Sequence, residues 1–127
     1  MTDFNSQHNR AVWFDIPVID LDRACAFYSA VLGCKVDADE FNGFRFAVIE
    51  HHDGNGGCLA EMPDQVSDKG LIVYFNADGR IQDAVKQAQS HGGTVLEPIK
   101  SIGPHGYRAL VKDSEGNRIA LHSNTDA

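Results

Sequence analysis

Apolar and polar residues alternate from the first recognisable element of the chain. Val12, Phe14, Ile16 and Val18 share one face, and Trp13, Asp15 and Pro17 share the other. That period of two predicts a strand over residues 12–18. Pro17 has no N–H to give a ladder, so it marks the strand's end or a side without a partner. The period then lengthens. Leu21, Ala24, Cys25, Tyr28, Val31 and Leu32 recur at helical spacing, Asp20 stands where an N-cap belongs, and Gly33 supplies the stop. The helix is predicted over residues 21–32. Strands follow at 35–39, 44–50 and 58–62, separated by the turn Phe41-Asn42-Gly43 and a glycine-rich turn at 52–57.

After a polar stretch at 64–69 the pattern starts again. A strand spans 70–76. Asp78 caps a helix whose apolar side is Ile81, Ala84, Val85 and Ala88, stopped at Gly92 and Gly93. A short strand at 94–96 and a loop at 98–105 lead to a closing hairpin over 107–123. Its turn is Asp113-Ser114-Glu115-Gly116-Asn117, with Gly116 and Asn117 tolerating positive φ. In its second strand Arg118, Ala120 and His122 alternate with Ile119 and Leu121. That polar-capable face is expected to look at whatever the protein binds.

The two rounds share an order, strand-helix-strand-strand-strand, at an offset of about 60 residues, though few letters repeat. This is a duplicated module rather than a solenoid. The predicted class is α+β: paired βαβββ modules, one at about 11–63 and one at about 70–123 joined by the linker 64–69. They form a curved mixed sheet, an incomplete barrel around a cavity, with a helix on each convex face. The whole chain, 1–127, reads as one domain. A ferredoxin-like sandwich also uses strand-helix-strand units, but it needs fewer than eight strands.

Composition narrows the function classes. The chain has 127 residues, 43% apolar and 23% charged, as expected of a soluble globular protein. No apolar run of about 18 residues exists, so no membrane span is expected. Residues 1–10 lack an apolar signal core and read as a frayed tail, which makes the expected location cytoplasmic. A net charge of −7 argues against a nucleic-acid partner. Three cysteines, an odd count without C-x-x-C, argue against a disulfide framework or a zinc–thiolate site.

Two segments carry a resemblance. Residues 17–33 fit P-V-x-D-L-x-x-A-x-x-F-Y-x-x-V-L-G, which resembles the opening of the vicinal oxygen chelate superfamily. That superfamily includes glyoxalase I, extradiol dioxygenases and the bleomycin- and fosfomycin-resistance proteins. The closing D-S-E-G-N-R-I-A-L is similar to the family's D-P-x-G-N-x-I-x-L hairpin, with Ser114 in place of proline. The resemblance implies paired βαβββ modules and a cavity under the curved sheet. It also implies ligands for a divalent ion on the first and last strand of each module. Carried over, those positions fall on Trp13, Glu61, Leu71 and Ala120. Only Glu61 can ligate, so the expectation is no metal and no cofactor. The alternative is one divalent ion at a relocated site of Asp15, Glu61 and His122, each one strand step along or retained.

Strand parity expects Trp13, Asp15, Leu59, Glu61, Leu71, Val73, Phe75, Ala120 and His122 to line the cavity, with Arg45 or Phe44 joining. His105, near Tyr107 and Arg108, is placed at the mouth. Trp13 and Phe75 offer flat surfaces for a planar ligand. Glu61 is the candidate catalytic group, a general base if buried among Leu and Phe, or a structural partner of Arg45 or Arg118. Two functions remain open. One is a non-catalytic protein that binds a small molecule, as the family's resistance proteins do. The other is a metal-assisted lyase, isomerase or dioxygenase-type enzyme acting on a small oxygen-rich metabolite. The net charge favours a cationic ligand, and a homodimer is expected because pairing would cover exposed sheet edges.

Overall fold

The computed structural model describes residues 8–127; the expected N-terminal tail falls largely outside the described residues. The order is β1 (Asp15–Val18), α1 (Leu21–Leu32), β2 (Val36–Phe41), β3 (Phe44–Ile49), β4 (Cys58–Glu61), β5 (Tyr74–Asn76), α2 (Ile81–Ser90), β6 (Thr94–Ser101), β7 (Tyr107–Lys112) and β8 (Arg118–Ser123). Short 3-10 turns span Pro63–Gln65 and Gly103–His105. The strands form two four-stranded sheets, ordered β1-β4-β3-β2 and β5-β8-β7-β6. β1 runs parallel to β4 and β5 parallel to β8, and the remaining neighbours are antiparallel. The class is α+β, βαβββ occurs twice with one topology, and the sheets do not close into a barrel.

The first helix forms as its sequence dictates. The Asp20 side chain accepts from the Arg23 N–H at 3.0 Å, and Gly33 turns left-handed at φ 65° while its N–H reaches Ser29 O. The second helix departs from expectation. Asp78 does not cap it; its carboxylate instead accepts from Asn124 N at 2.7 Å and Ser123 Oγ at 3.3 Å. The helix starts at Ile81 without a side-chain cap.

Three strands differ from the pattern by three residues or more, and β2, β3 and β4 by one or two at an end. β1 and β5 begin later than predicted, at Asp15 and Tyr74. β6 continues through Pro98 to Ser101, where a loop was expected. It can do so because β6 is an edge strand, and its register against β7 is irregular on either side of Glu97.

One face of both sheets packs on the helices. Ile16, Val18, Leu59, Phe75, Ile119 and Leu121 join Leu21, Phe27, Tyr28 and Ile81 in one apolar cluster. The rings of Phe14 and Tyr28 both meet Phe75, at 5.7 and 5.5 Å between centroids. Gly93 is required at the end of α2. A Cβ there would sit 2.7 Å from Lys112 O and 2.8 Å from the Phe27 ring. The opposite, open face carries Asp15, Pro17, Phe46, Val48, Cys58 and Ala60 in the first sheet, and Tyr74, Asn76, Arg108, Leu110, Ala120 and His122 in the second, as the pairing register requires.

The closing turn ties the halves together through acidic side chains the helix-facing core surrounds. Asp113 Oδ1 accepts from the N–H groups of Glu115, Gly116 and Asn117, and Oδ2 accepts from the Tyr28 hydroxyl at 2.6 Å. Glu115 Oε1 accepts from the N–H groups of Ile19 and Asp20, while Arg23 Nε donates to Oε2 at 2.7 Å. Asn117 Nδ2 donates to Pro17 O at 2.8 Å. Burial alone would push the Glu115 carboxyl up. The Arg23 hydrogen bond, with those from Asp20, Ser114 and Ile19, more than offsets this and brings its pKa down to about 2.

Candidate functional site

A cleft of about 470 Å³ lies between β1 of the first module and the start of β8 in the second, within the range of small-molecule sites. Trp13, Asp15 and Pro17 line it from one side, Arg118 from the other, and Lys69 and Leu71 from the linker. Asp15 Oδ1 accepts from Trp13 Nε1 and from Cys58 Sγ, each at 3.2 Å. Trp13 also meets His51 edge-on, with ring centroids 5.9 Å apart. Arg118 Nη2 donates to Gly70 O at 2.9 Å, and Ser67 N donates to Asn117 Oδ1 at 3.3 Å. These contacts fasten the linker along the cleft wall. Burial, then the hydrogen bond to Asp15, push the Cys58 thiol up to about 12. Cys58 stays a thiol at neutral pH and is no nucleophile.

A second cleft of about 390 Å³ mirrors the first across the duplication. The first pairs β1 with the turn before β8, and the second pairs β5 with the turn before β4. Phe14, His51, Asn55, Tyr74, Phe75 and Asn76 line it.

The structure brings some expected residues together and separates others. Trp13, Asp15 and Leu71 border the first cleft, and Leu71 is 96% exposed there. Phe75 borders the second, but from the helix side. Ala120 and His122 lie on the open face of the second sheet, further along β8. The face assigned to β4 is corrected. Cys58 and Ala60 look out with Asp15 and Pro17, whereas Leu59 and Glu61 lie on the helix side beside Ile16 and Val18. Phe75 lies in the helix-side core, and Val73 packs against that core while also bordering the first cleft, as expected. Glu61 accepts from Arg45 at 3.1 Å, and Arg45 reaches on to Asp22 of α1 at 3.2 Å. That is the structural alternative for Glu61. Replacing Glu61 with Gln is expected to leave ligand binding unchanged and to alter stability by less than about 1 kcal/mol, because the pair is partly exposed. Calorimetric binding and thermal melts of the variant check both.

The donor set does not fit the family's divalent ion. Trp13, Leu71 and Ala120 offer no metal-ligating atom. Among the described residues no three His, Cys, Asp or Glu side chains gather closely enough to hold one. The relocated trio is not assembled either, since Glu61 faces away from Asp15. Sequence reasoning passed over Arg118, Lys69 and Tyr74 as site residues. Arg118 was legible, because it alternates onto the same face as Ala120 and His122.

Comparison with known proteins agrees with the architecture. Residues 10–121 match the sequence model described as the Glyoxalase/Bleomycin resistance protein/Dioxygenase superfamily. A glyoxylase-like domain-containing protein of Didymella fabae is 25% identical over 121 residues, covering 90% of this chain and 93% of its own. Among solved structures, a glyoxalase/bleomycin resistance protein from Albidiferax ferrireducens T118 superposes with a TM-score of 0.73 at 18% identity, over 91% of this chain and 98% of its own. The genomically encoded fosfomycin resistance protein FosX from Listeria monocytogenes gives 0.68 at 12% identity, over 91% and 93%. Among the described residues, no helix is long and apolar enough to cross a membrane.

Proposed function

This chain belongs to the Glyoxalase/Bleomycin resistance protein/Dioxygenase superfamily, and from that premise we propose that it binds a small molecule in the cleft between β1 and β8, without the metal its relatives' fold can hold. The observation that carries the reading is the composition of the cleft. Trp13 supplies a planar wall beside Pro17, while Asp15 on one side and Arg118 and Lys69 on the other supply a few polar groups of both signs. An apolar wall with sparse, oriented polar groups suits recognition of a small ligand. Nothing in the cleft is arranged for nucleophilic attack, and the one nearby thiol is held protonated. Binding without turnover is therefore preferred to the metal-assisted enzyme.

The chain is further proposed to act as a homodimer. β2 and β6 leave free sheet edges, and Phe41 and Leu96 on them are 69% and 43% exposed. Analytical ultracentrifugation reads this directly, and a monomer at micromolar concentration removes it.

Trp13 is the only tryptophan, so its fluorescence reports on the cleft. A panel of aromatic cations and carboxylates titrated against the full chain is expected to contain compounds that quench Trp13 saturably, with no turnover and no effect of a chelator. A stoichiometric divalent ion in the purified protein, or turnover abolished by the chelator, would overturn the proposal in favour of the enzyme.

A further inference from the structure

The open face of the second sheet carries a polar cluster that the cleft does not use. Arg108 on β7 and Asn76 on β5 stand on either side of His122, and Tyr74 and Leu110 stand on either side of Ala120. Side chains paired across strands in this way share a face and lie about 5 Å apart at Cβ. Arg108 Nη1 donates to the Tyr74 hydroxyl oxygen at 2.7 Å, and the guanidinium sits 6.0 Å from the Tyr74 ring centroid. Glu97 Oε1 lies 3.6 Å from Arg108 Nη2, but it is held more closely by Lys100 Nζ at 3.0 Å. Arg108 is thus oriented by Tyr74 and shares the single Glu97 carboxylate with Lys100, which leaves one positive charge over among the three side chains. Its Nε is buried and has no hydrogen-bond partner among the described residues, while 23% of the side chain remains exposed. Tyr74 accepts from Arg108, which leaves its own O–H free to donate outward.

His122 completes the cluster with the opposite polarity. Its Nε2 lies 2.6 Å from His105 O. A carbonyl only accepts, so Nε2 carries the proton, and in the neutral ring Nδ1 is left as an acceptor. The turn Gly103–His105 fixes this arrangement. It closes through Gly106 at φ 98°, where a Cβ would come within 2.5 Å of Ser123 O and 3.2 Å of His122 Nε2. A cationic donor fork beside a lone-pair acceptor complements a carboxylate that carries a neighbouring hydroxyl.

We propose that Arg108, Tyr74 and His122 form a second binding site, for a small 2-hydroxycarboxylate. The carboxylate takes hydrogen bonds from Arg108 and the Tyr74 hydroxyl, and the ligand hydroxyl donates to His122 Nδ1. The site is distinct from the cleft: Arg118 and His122 are four residues apart on one strand, about 13 Å. It belongs to the second module alone, because β3 and β4 place Phe46, Val48, Cys58 and Ala60 on the corresponding face.

The test is a nuclear magnetic resonance titration of the full, ¹⁵N-labelled chain with glycolate and with acetate, at ionic strength held constant with chloride. The Arg108 Nε–Hε resonance and the β7 and β8 amides are followed. Saturable shifts are expected for both acids, with glycolate binding at least five-fold tighter. Arg108→Gln is expected to weaken both at least ten-fold, and Arg108→Lys, which keeps the charge but loses the fork, to weaken them less. His122→Phe is expected to keep acetate binding and to erase the preference for glycolate. The proposal is overturned by shifts no larger than chloride gives, by binding that survives Arg108→Gln, or by equal affinity for the two acids. Trp13 fluorescence is recorded in the same titration and is expected to stay constant. Failure here and failure of the cleft reading are therefore separate results.

Discussion

Replacing Glu115 with alanine is expected to destabilise the fold by about 3–5 kcal/mol, because it strips two backbone N–H groups and a half-exposed guanidinium of a buried acceptor. The side chain is fully inaccessible, and its oxygens hold the N–H groups of Ile19 and Asp20 as well as the Arg23 guanidinium. Alanine would leave those donors without an acceptor at the junction of β1 and α1. The same group gives a pH signature. Its folded pKa of about 2 lies below its ordinary value of 4.5, so the unfolded chain binds the proton more readily. The contribution is complete above about pH 5 and is lost as pH falls through 2; from the size of the shift it amounts to about 3 kcal/mol. Urea melts at intervals from pH 6 to pH 2 measure it, and Glu115→Gln should flatten that acid limb. A loss below about 1 kcal/mol for Glu115→Ala would place the pair with exposed ion pairs and sink the assignment.

The parts of this architecture that were legible share one property: a strand with one wet face. β1 and β8 alternate apolar and polar residues, so Ile16 and Leu121 fell on the helix side and Asp15 and His122 on the open side, as the structure has them. β4 does not alternate, and the run from Leu71 to Phe75 that leads through β5 has no polar position to mark a face. Cys58, Leu59 and Ala60 are all buried, the small Cys58 and Ala60 on the open face as well as Leu59 on the helix side, so the letters carry no parity. A register error of one residue then reverses every side chain, which is how Glu61 and Phe75 came to be expected on the face that carries Asp15 and His122. α1 was placed to the residue because Asp20 and Gly33 act locally. α2 was not, because Asp78 is claimed by Asn124 and Ser123, distant in the chain.

The closing hairpin shows the same limit from the other side. Its turn is the most recognisable motif in the chain, and acidic residues in a turn ordinarily face water. Here Asp113, Glu115 and Asn117 are buried at 3%, 6% and 7% exposure, and their partners lie up to 100 residues away. No spacing rule could reveal that pairing. The motif therefore encodes a clamp between modules, and the candidate binding groups are the residues that follow it along β8.

Asp113→Ala is accordingly expected to be the most damaging substitution in the turn, costing about 4–6 kcal/mol, which approaches the whole stability of a small domain. Three turn N–H groups lose their side-chain acceptor and Asn117 Nδ2 is left with Pro17 O alone, from distances of 2.8–3.0 Å in the intact protein. The Tyr28 hydroxyl, fully buried on α1, loses its acceptor at 2.6 Å. Burial, then the Asp113 charge, hold that hydroxyl protonated well above the ordinary tyrosine range, so it acts solely as a neutral donor. Two milder variants divide the effect. Tyr28→Phe removes the helix bond alone and should cost about 1–2 kcal/mol, because Oδ2 keeps Asn117 Nδ2. Asp113→Asn keeps an oxygen for the three N–H groups but turns an amide donor toward Asn117 Nδ2, and should fall between the other two. Guanidinium melts of the three variants give the order directly. If Asp113→Ala costs no more than Tyr28→Phe, the aspartate does not hold the turn, and the clamp must rest on Glu115 and Asn117 alone.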